Sequence, residues 1–237
     1  MSSRRIMGAM AFSGRFVRYG AYVKLIKFLN VLALVTLSYG AQAQEDDPLY
    51  VLALGDSLTA GYELSPDYAF PVRLEANLRD AGLDVTVINA GVSGDTSSGG
   101  RARLEWAVSD VPDGKPDLAI VELGANDALR GIDPALTREN LEAIIAYFQV
   151  REVPVLLAGM QAPPNMGPDY AQEFDSLYPA LAEQFDVALY PFFLDGVAAN
   201  PDLNLADGMH PNEEGVDVIV TRIAPLVKTL LKADTTP

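Results

Sequence analysis

Five short apolar runs recur along the chain at a spacing of about 30 residues, and they predict the strands of a sheet. Their apolar residues do not alternate strictly with polar ones, which is typical of strands that are covered on both faces. A sheet of five parallel strands is therefore expected. The runs cover residues 49–54, 85–89, 118–123, 155–160 and 187–190.

The segments between these runs carry apolar residues at helical spacing. In residues 138–150, for example, Leu141, Ile144 and Phe148 fall on one face of a helix. In the last helix, Pro225 marks a candidate kink. The predicted helices cover residues 68–81, 138–150, 170–185 and 211–232.

This alternation of strands and helices predicts one α/β domain in which a parallel sheet has helices on both faces. Five units are too few for an eight-stranded barrel. In an open sheet of this kind, the functional site lies beyond the carboxyl ends of the strands. Residues just after each apolar run are therefore the first candidates for chemistry.

The first 43 residues differ from the rest, because they contain six Lys or Arg and no Asp or Glu. An apolar run over residues 28–39 and the sequence Ala41-Gln42-Ala43 complete the pattern of a secretory signal peptide. The alternative is a retained membrane anchor, but the run is shorter than the roughly 18–20 residues that a spanning helix needs. We expect cleavage after Ala43, a mature domain over residues 44–237 and a periplasmic or extracellular location.

The mature part carries 11 Lys or Arg against 32 Asp or Glu, a formal net charge of −21. Such a surface repels nucleic acids and anionic membranes, so neither is an expected partner, and a monomer is favoured. The chain has no cysteine and one histidine. Disulfides, thiolate zinc sites and lipid-modified cysteines are therefore excluded, and no metal or cofactor is expected.

Polar residues follow three of the predicted strands directly. Ser57, in Gly55-Asp56-Ser57-Leu58, would open a helix whose free N–H groups favour negative charge, although it could equally be an ordinary N-cap. Gly94 lies in a glycine-rich loop after the second strand, where its backbone N–H can approach a ligand closely, or the loop is a plain turn. Asn126 follows the third strand and can donate its amide to an oxyanion, or belongs to a polar turn.

The single histidine, His210, lies ahead of the last helix and three residues after Asp207. At this spacing the carboxylate can hold one ring nitrogen while the other nitrogen faces a nucleophile. Residues 202–208 superficially resemble a calcium loop, but the ligand spacing is out of register. Together the chain supplies a nucleophile, a base, an orienting acid and oxyanion donors.

These elements resemble the SGNH (GDSL) hydrolase family, and most closely its secreted bacterial subgroup of arylesterases, acyl-CoA thioesterases I and lysophospholipases L1. The stretches GDSLTAGYELS, SGDTSSGGRARL, VELGANDALRG, FDVALYPFF and DGMHPN carry the resemblance over the whole mature chain. Ala125 stands where that subgroup often has a second glycine.

The resemblance implies a three-layer α/β/α flavodoxin-like fold with strand order 2-1-3-4-5. It also implies a catalytic set of Ser57, Asp207 and His210, with oxyanion donors from the Ser57 and Gly94 backbone and the Asn126 side chain. Loop 127–132 resembles the segment that moves on substrate binding in this subgroup.

The expected activity is hydrolysis of aryl esters, acyl thioesters or lysophospholipids through a Ser57 acyl-enzyme, without a cofactor. An α/β-hydrolase is disfavoured because residue 59 is Thr, which breaks the Gly-x-Ser-x-Gly pattern. A carbohydrate O-acetyl esterase of the same wider family is an alternative. A secreted binding module is a second alternative, although such a protein should have lost at least one catalytic residue.

Overall fold

The computed structural model of the protein describes residues 47–234, and its centre is one sheet of five parallel strands. The strands lie in the order β2-β1-β3-β4-β5, so the predicted fold class and strand order are confirmed. Every predicted strand is present, with ends that differ by no more than two residues. The strands are β1 (Leu49–Gly55), β2 (Val85–Gly91), β3 (Leu118–Glu122), β4 (Val155–Ala158) and β5 (Ala188–Tyr190).

Eight α-helices are found within residues 47–234. They are α1 (Ser57–Ala60), α2 (Phe70–Asp80), α3 (Ser97–Ala102), α4 (Leu104–Ala107), α5 (Ala125–Leu129), α6 (Pro134–Gln149), α7 (Pro168–Phe185) and α8 (Glu213–Asp234). Short 3₁₀ turns cover Pro66–Tyr68, Val108–Asp110, Pro112–Gly114 and Pro164–Met166. None of these helices is long and apolar enough to cross a membrane.

The predicted helices exist, but local capping moves their ends. Helix α6 begins one turn before residue 138, because the Asp133 carboxylate accepts a hydrogen bond from the Ala135 N–H and a proline occupies the first helical position. Helix α8 begins at Glu213 rather than at Pro211, because Pro211 pairs with Asn204 in an isolated bridge. Helix α8 then continues through Pro225.

The central strands β1 and β3 are almost completely buried, whereas the edge strands β2 and β5 are partly exposed. Helix α2 packs against α8, and α6 packs against α3 and α7, so the sheet lies between two helical layers. Burial on both faces explains why the strands read as continuous apolar runs. The predicted signal peptide over residues 1–43 lies outside the described residues.

Candidate active site

Ser57 is the first residue of α1 and follows the end of β1 after a single intervening residue. That residue, Asp56, caps the helix by accepting a hydrogen bond from the Leu58 N–H at 3.0 Å. Only glycine fits at position 55, because a Cβ there would lie 2.0 Å from the Thr59 Oγ1 atom. The Ser57 N–H stands at the first helical position and so has no acceptor within the helix.

The structure brings Ser57, His210 and Asp207 together in one chain of hydrogen bonds. His210 Nε2 lies 2.9 Å from Ser57 Oγ, and His210 Nδ1 lies 2.6 Å from Asp207 Oδ2. An ionised Asp207 can only accept, so it fixes the proton on Nδ1 and leaves Nε2 as the acceptor for the Ser57 hydroxyl. This is the arrangement in which a histidine can take the proton of a serine.

The carboxylate of Asp207 is held in its ionised form by three donors. The Met209 N–H lowers the pKa of Asp207 most, and with the His210 ring and backbone N–H groups it brings that pKa to about 2. The backbone N–H groups of Met209 and His210 both bind Asp207 Oδ1, at 2.9 and 3.1 Å, which leaves Oδ2 for the imidazole. The loop itself therefore orients the carboxylate toward His210.

Asp207 and His210 lie in a segment between β5 and α8 that contains no strand or α-helix. The buried Asn204 side chain organises this segment by donating to the carbonyls of Val197 and Asn200 at 2.8 and 2.7 Å. The Leu205 N–H binds the carbonyl of His210 at 2.8 Å, so the turn that carries His210 is closed on itself.

Gly94 lies in the loop after β2 and adopts the left-handed conformation, with φ of +84°. Its carbonyl accepts a hydrogen bond from Arg130 Nη2 at 2.7 Å, while its N–H has no hydrogen-bond partner within residues 47–234. The next residue, Asp95, pairs with Arg103 at 2.6 Å, and Arg103 also donates to the Gly55 carbonyl at 2.9 Å. This pair connects the Gly94 loop to the strand that precedes Ser57.

Asn126 is the second residue of α5, and its side chain is already partly engaged. Its Nδ2 donates to Asp56 Oδ2 at 3.0 Å, which leaves the second N–H of the amide for another acceptor. The neighbouring Asp127 is buried and accepts from the Ser97 hydroxyl and N–H, at 2.5 and 2.8 Å. These bonds fasten the start of α5 to the start of α3.

Two buried carboxyl groups lie beneath Ser57. Glu122 Oε2 accepts from the Thr59 hydroxyl at 2.8 Å, and Oε1 has no hydrogen-bond partner among the described residues. Burial, with the nearby Asp56 charge, raises the pKa of Glu122 well above its ordinary value. Burial also raises the pKa of Asp56 to about 6, although hydrogen bonds from the Leu58 N–H and the Asn126 amide oppose this rise.

A cavity of about 310 Å³ opens beside Ser57 and His210. Asn126 is the one predicted oxyanion donor besides Ser57 that lines it, whereas Gly94 does not. Most of the other lining side chains are apolar, and they include Leu129, Met160, Pro163, Leu194, Ala198 and Met209. The cavity thus offers an apolar space next to the Ser57 hydroxyl.

Loop 127–132 combines fixed and exposed parts. Asp127 is held by Ser97 and also accepts from the Thr137 hydroxyl at 3.1 Å, whereas Leu129 is 54% exposed on the cavity wall. Its movement on substrate binding stays a prediction. Within residues 47–234, no group of three or more His, Asp or Glu side chains is arranged to hold a metal ion.

Three supporting features were missed by the sequence reasoning. These are the buried Glu122, the Arg103–Asp95 pair and the ring of Tyr62, whose centroid lies 4.4 Å from that of His210. A glutamate at the end of an otherwise apolar strand was a visible signal for the first. No local pattern signalled the other two, because the Arg103–Asp95 pair depends on how the chain turns through the short helix α3, and Tyr62 is distant in sequence from His210.

Comparison with known proteins finds similarity to esterases and related hydrolases. A model of the GDSL-like lipase/acylhydrolase family matches residues 53–218. Esterase TesA of Pseudomonas aeruginosa is 40% identical over 200 residues, covering 84% of this chain and 96% of the relative. An arylesterase of Vibrio mimicus is 39% identical over 207 residues, covering 87% of this chain and all of the relative.

A thioesterase 1/protease 1/lysophospholipase L1 of Escherichia coli strain K12 is 36% identical over 206 residues, covering 87% of this chain and 94% of the relative. Among solved structures, the SGNH-hydrolase family esterase AlinE4 is 48% identical with a TM-score of 0.66, covering 77% of this chain and 96% of that chain. The similarity thus extends over nearly the full length of each of these proteins.

Proposed function

This chain belongs to the GDSL-like lipase/acylhydrolase family and is a serine ester hydrolase, and we propose that Ser57 is its nucleophile, His210 its base and Asp207 the residue that orients the base. The observation that carries this assignment is the hydrogen-bonded chain from Ser57 Oγ through His210 to Asp207, at 2.9 and 2.6 Å.

In the proposed reaction, Ser57 Oγ attacks the carbonyl carbon of the ester while His210 Nε2 takes the hydroxyl proton. The oxyanion accepts hydrogen bonds from the N–H groups of Ser57 and Gly94 and from the Asn126 amide. His210 then protonates the leaving alcohol or thiol, and an acyl-enzyme remains on Ser57. A water molecule then gives a proton to His210 and attacks the acyl carbonyl carbon. The bond between the acyl group and Ser57 Oγ breaks, His210 returns the proton to Oγ, and the carboxylic acid leaves.

The electrostatic part of this scheme comes from donors that are fixed before substrate arrives. Asn126 is oriented by Asp56, and the conformation of the Gly94 loop is stabilised by Arg130 and by the Arg103–Asp95 pair. Loss of one such donor typically raises the barrier by about 3–4 kcal/mol, because the oxyanion then lacks a partner in a site that excludes water.

The substrate we propose is a carboxylic ester or thioester with an apolar acyl group, of the aryl ester, acyl thioester or lysophospholipid type. The apolar walls of the 310 Å³ cavity support this choice, because burial of the substrate's methylene groups against these walls lowers the free energy of binding. An acetylated sugar would place an acetyl group in a much larger space and its hydroxyls against apolar walls. A non-catalytic module is disfavoured because the complete hydrogen-bonded chain is present.

We also propose that residues 1–43 direct export and that the mature protein is a soluble periplasmic or extracellular monomer without a stable membrane anchor. The basic and apolar pattern of these residues supports export. The formal charge of −21 on the remaining chain supports a monomer, because copies of an acidic surface repel each other.

The test of the activity is a hydrolysis panel with the purified protein, its Ser57→Ala variant and a Ser176→Ala control that changes an exposed serine on α7. The panel contains aryl esters, acyl-CoAs and lysophospholipids with graded acyl chains, together with acetylated sugars. We expect turnover by the wild type and the control but not by Ser57→Ala. A phosphonate ester that reacts with serine nucleophiles should form one adduct with the wild type, at Ser57. A preference for acetylated sugars, or an adduct at another residue, would contradict the proposal.

A further inference from the structure

Helix α1 contains a single turn, and the left-handed residue after it turns the chain back toward Ser57. Gly61 adopts the left-handed conformation with φ of +82°, and a Cβ there would lie 2.8 Å from the Ala69 Cβ. The N–H of the next residue, Tyr62, binds the carbonyl of Ser57 at 3.1 Å. The backbone of Tyr62 is therefore anchored on the nucleophile itself.

From this anchor, the Tyr62 ring reaches the base. The ring centroids of Tyr62 and His210 are 4.4 Å apart, and the ring planes are inclined by 34°. The Tyr62 residue is 38% exposed, whereas the His210 side chain is only 18% exposed. His210 lines the 310 Å³ cavity, whereas Tyr62 is not among its lining residues.

We propose that Tyr62 is a positioning residue for the base: its ring covers one face of His210, keeps the imidazole in line between Asp207 and Ser57, and stabilises the positive charge that the imidazole takes up. The inference rests on the proposed role of His210. An aromatic face within about 6 Å attracts a cation, and the imidazole is a cation only after it has received the serine proton. The attraction is therefore stronger in the transition state than in the resting enzyme.

Three acidic residues lie near His210 and the Tyr62 ring. Asp207 binds the imidazole directly, and the buried Asp56, with a pKa raised by burial to about 6, lies near it on the side of Ser57. Glu63, next to Tyr62, accepts a hydrogen bond from the phenol and raises the pKa of Tyr62. The phenol consequently stays neutral at working pH, and its ring rather than a phenolate charge faces the base.

The test compares Tyr62→Phe, Tyr62→Trp and Tyr62→Leu in the full enzyme. The first two keep an aromatic face and should retain kcat, whereas Tyr62→Leu should lower kcat about 2- to 5-fold with KM unchanged. His210 is the only histidine of the chain, so NMR of its ring protons follows the imidazole alone. In Tyr62→Leu these signals should move downfield, because the His210 ring loses the shielding of the aromatic face that lies 4.4 Å away.

Tyr68→Leu is the matched control, since Tyr68 also lies beside a cation, 5.6 Å from the Arg73 guanidinium, but away from the base. It should keep the wild-type kcat and the wild-type His210 ring-proton signals. The inference is overturned if Tyr62→Leu matches the control, if Tyr62→Phe loses as much as Tyr62→Leu, or if KM alone changes. Full activity in His210→Ala would instead overturn the proposed function.

Discussion

Asn126 donates a hydrogen bond to the carboxylate of Asp56, with 3.0 Å between Nδ2 and Oδ2. Asp56 is also the N-cap of the helix that begins with Ser57. One carboxylate thus fixes both the helix start at the nucleophile and the direction of a proposed oxyanion donor. Because an amide nitrogen carries two hydrogens, this bond orients Asn126 without consuming its ability to bind the oxyanion.

Asn126→Ala should lower kcat by about 10²- to 10³-fold, because the oxyanion loses one oriented donor. Unfolding by urea should show a loss of about 1–3 kcal/mol, because the buried Asp56 carboxylate loses a donor, but the enzyme should stay folded. Asn77→Ala, at a half-buried asparagine on α2, is the control and should keep full kcat. A folded Asn126→Ala enzyme with wild-type kcat would exclude the proposed role.

Asp207→Asn should lower kcat by roughly 10³- to 10⁴-fold, because its amide would donate to Nδ1 and favour the wrong imidazole tautomer. The pKa of Asp207, about 2, means that the wild-type carboxylate is ionised throughout the working pH range, so the loss relative to wild type should be present across that range. Steady-state kinetics between pH 6 and 9 checks this. Asp202→Asn, in the same segment, should behave as wild type, and comparable losses in both variants would contradict the assignment.

Gly94→Ala tests the second proposed backbone donor. A Cβ at this position meets only Arg130 Nη2, at an ordinary 3.8 Å, so the cost comes from the positive φ and should be about 1–2 kcal/mol of unfolding free energy. If the backbone at residue 94 relaxes, its N–H turns away from the proposed oxyanion position, and kcat should fall more than KM rises. Gly82→Ala, also at positive φ but with open space around it, is the matched control for strain. Equal kcat in the two variants would remove Gly94 from the mechanism.

Glu122→Gln should stabilise the protein increasingly as the pH rises above about 5. Burial raises the pKa of Glu122 and brings that of Asp56 to about 6, so the folded state holds protons that the unfolded state releases near pH 4. The free energy of unfolding of the wild type therefore falls as the pH rises from about 4 through the raised pKa values of the two carboxyl groups. Glutamine at position 122 does not titrate, so one of the two pH-dependent contributions is removed. Its side-chain oxygen can still accept a hydrogen bond from the Thr59 hydroxyl.

Urea unfolding at pH 5, 7 and 8.5 measures this difference. Glu173→Gln, at an exposed glutamate on α7, serves as the control and should show no such pH-dependent gain. A Glu122→Gln variant whose stability relative to wild type is the same at all three values would show that Glu122 does not titrate in this range.

The proposed export signal predicts that the mature protein begins at Gln44. Expression of the full chain in a bacterium, followed by fractionation and N-terminal analysis, should locate a soluble extracytoplasmic form that lacks residues 1–43. An Ala43→Asp variant should block cleavage, because signal peptidase sites need small residues. An intact N-terminus in the membrane fraction would support the retained anchor instead.

The strands and long helices could be predicted because burial on both faces imposes apolar runs and burial on one face imposes helical spacing. The short helices α3, α4 and α5 could not, since one or two turns carry no periodic signal and are held by tertiary contacts. The start of α1 at Ser57 was predicted, because the residue follows the end of a strand. Helix starts were the least accurate, as the Asp133 cap shows.

The site residues could be identified from sequence because each follows a strand end or precedes a helix, and together they resemble a family pattern. Their supports could not, because those are pairings over long sequence distances. Thr59 binds Glu122 from 63 residues away, and Asn126 binds Asp56 from 70 residues away. The sequence contains both partners but does not indicate that they meet.

His210 and Ser57, the proposed base and nucleophile, lie in parts of the molecule that differ in local stability. Ser57 follows a central strand, whereas His210 lies in the segment without strand or helix that is organised by Asn204. Such a segment can open locally at a lower free-energy cost than the sheet around it. Moderate heating should therefore separate base from nucleophile while the sheet stays intact. Thermal inactivation would then precede melting, and cooling would restore activity without refolding of the domain.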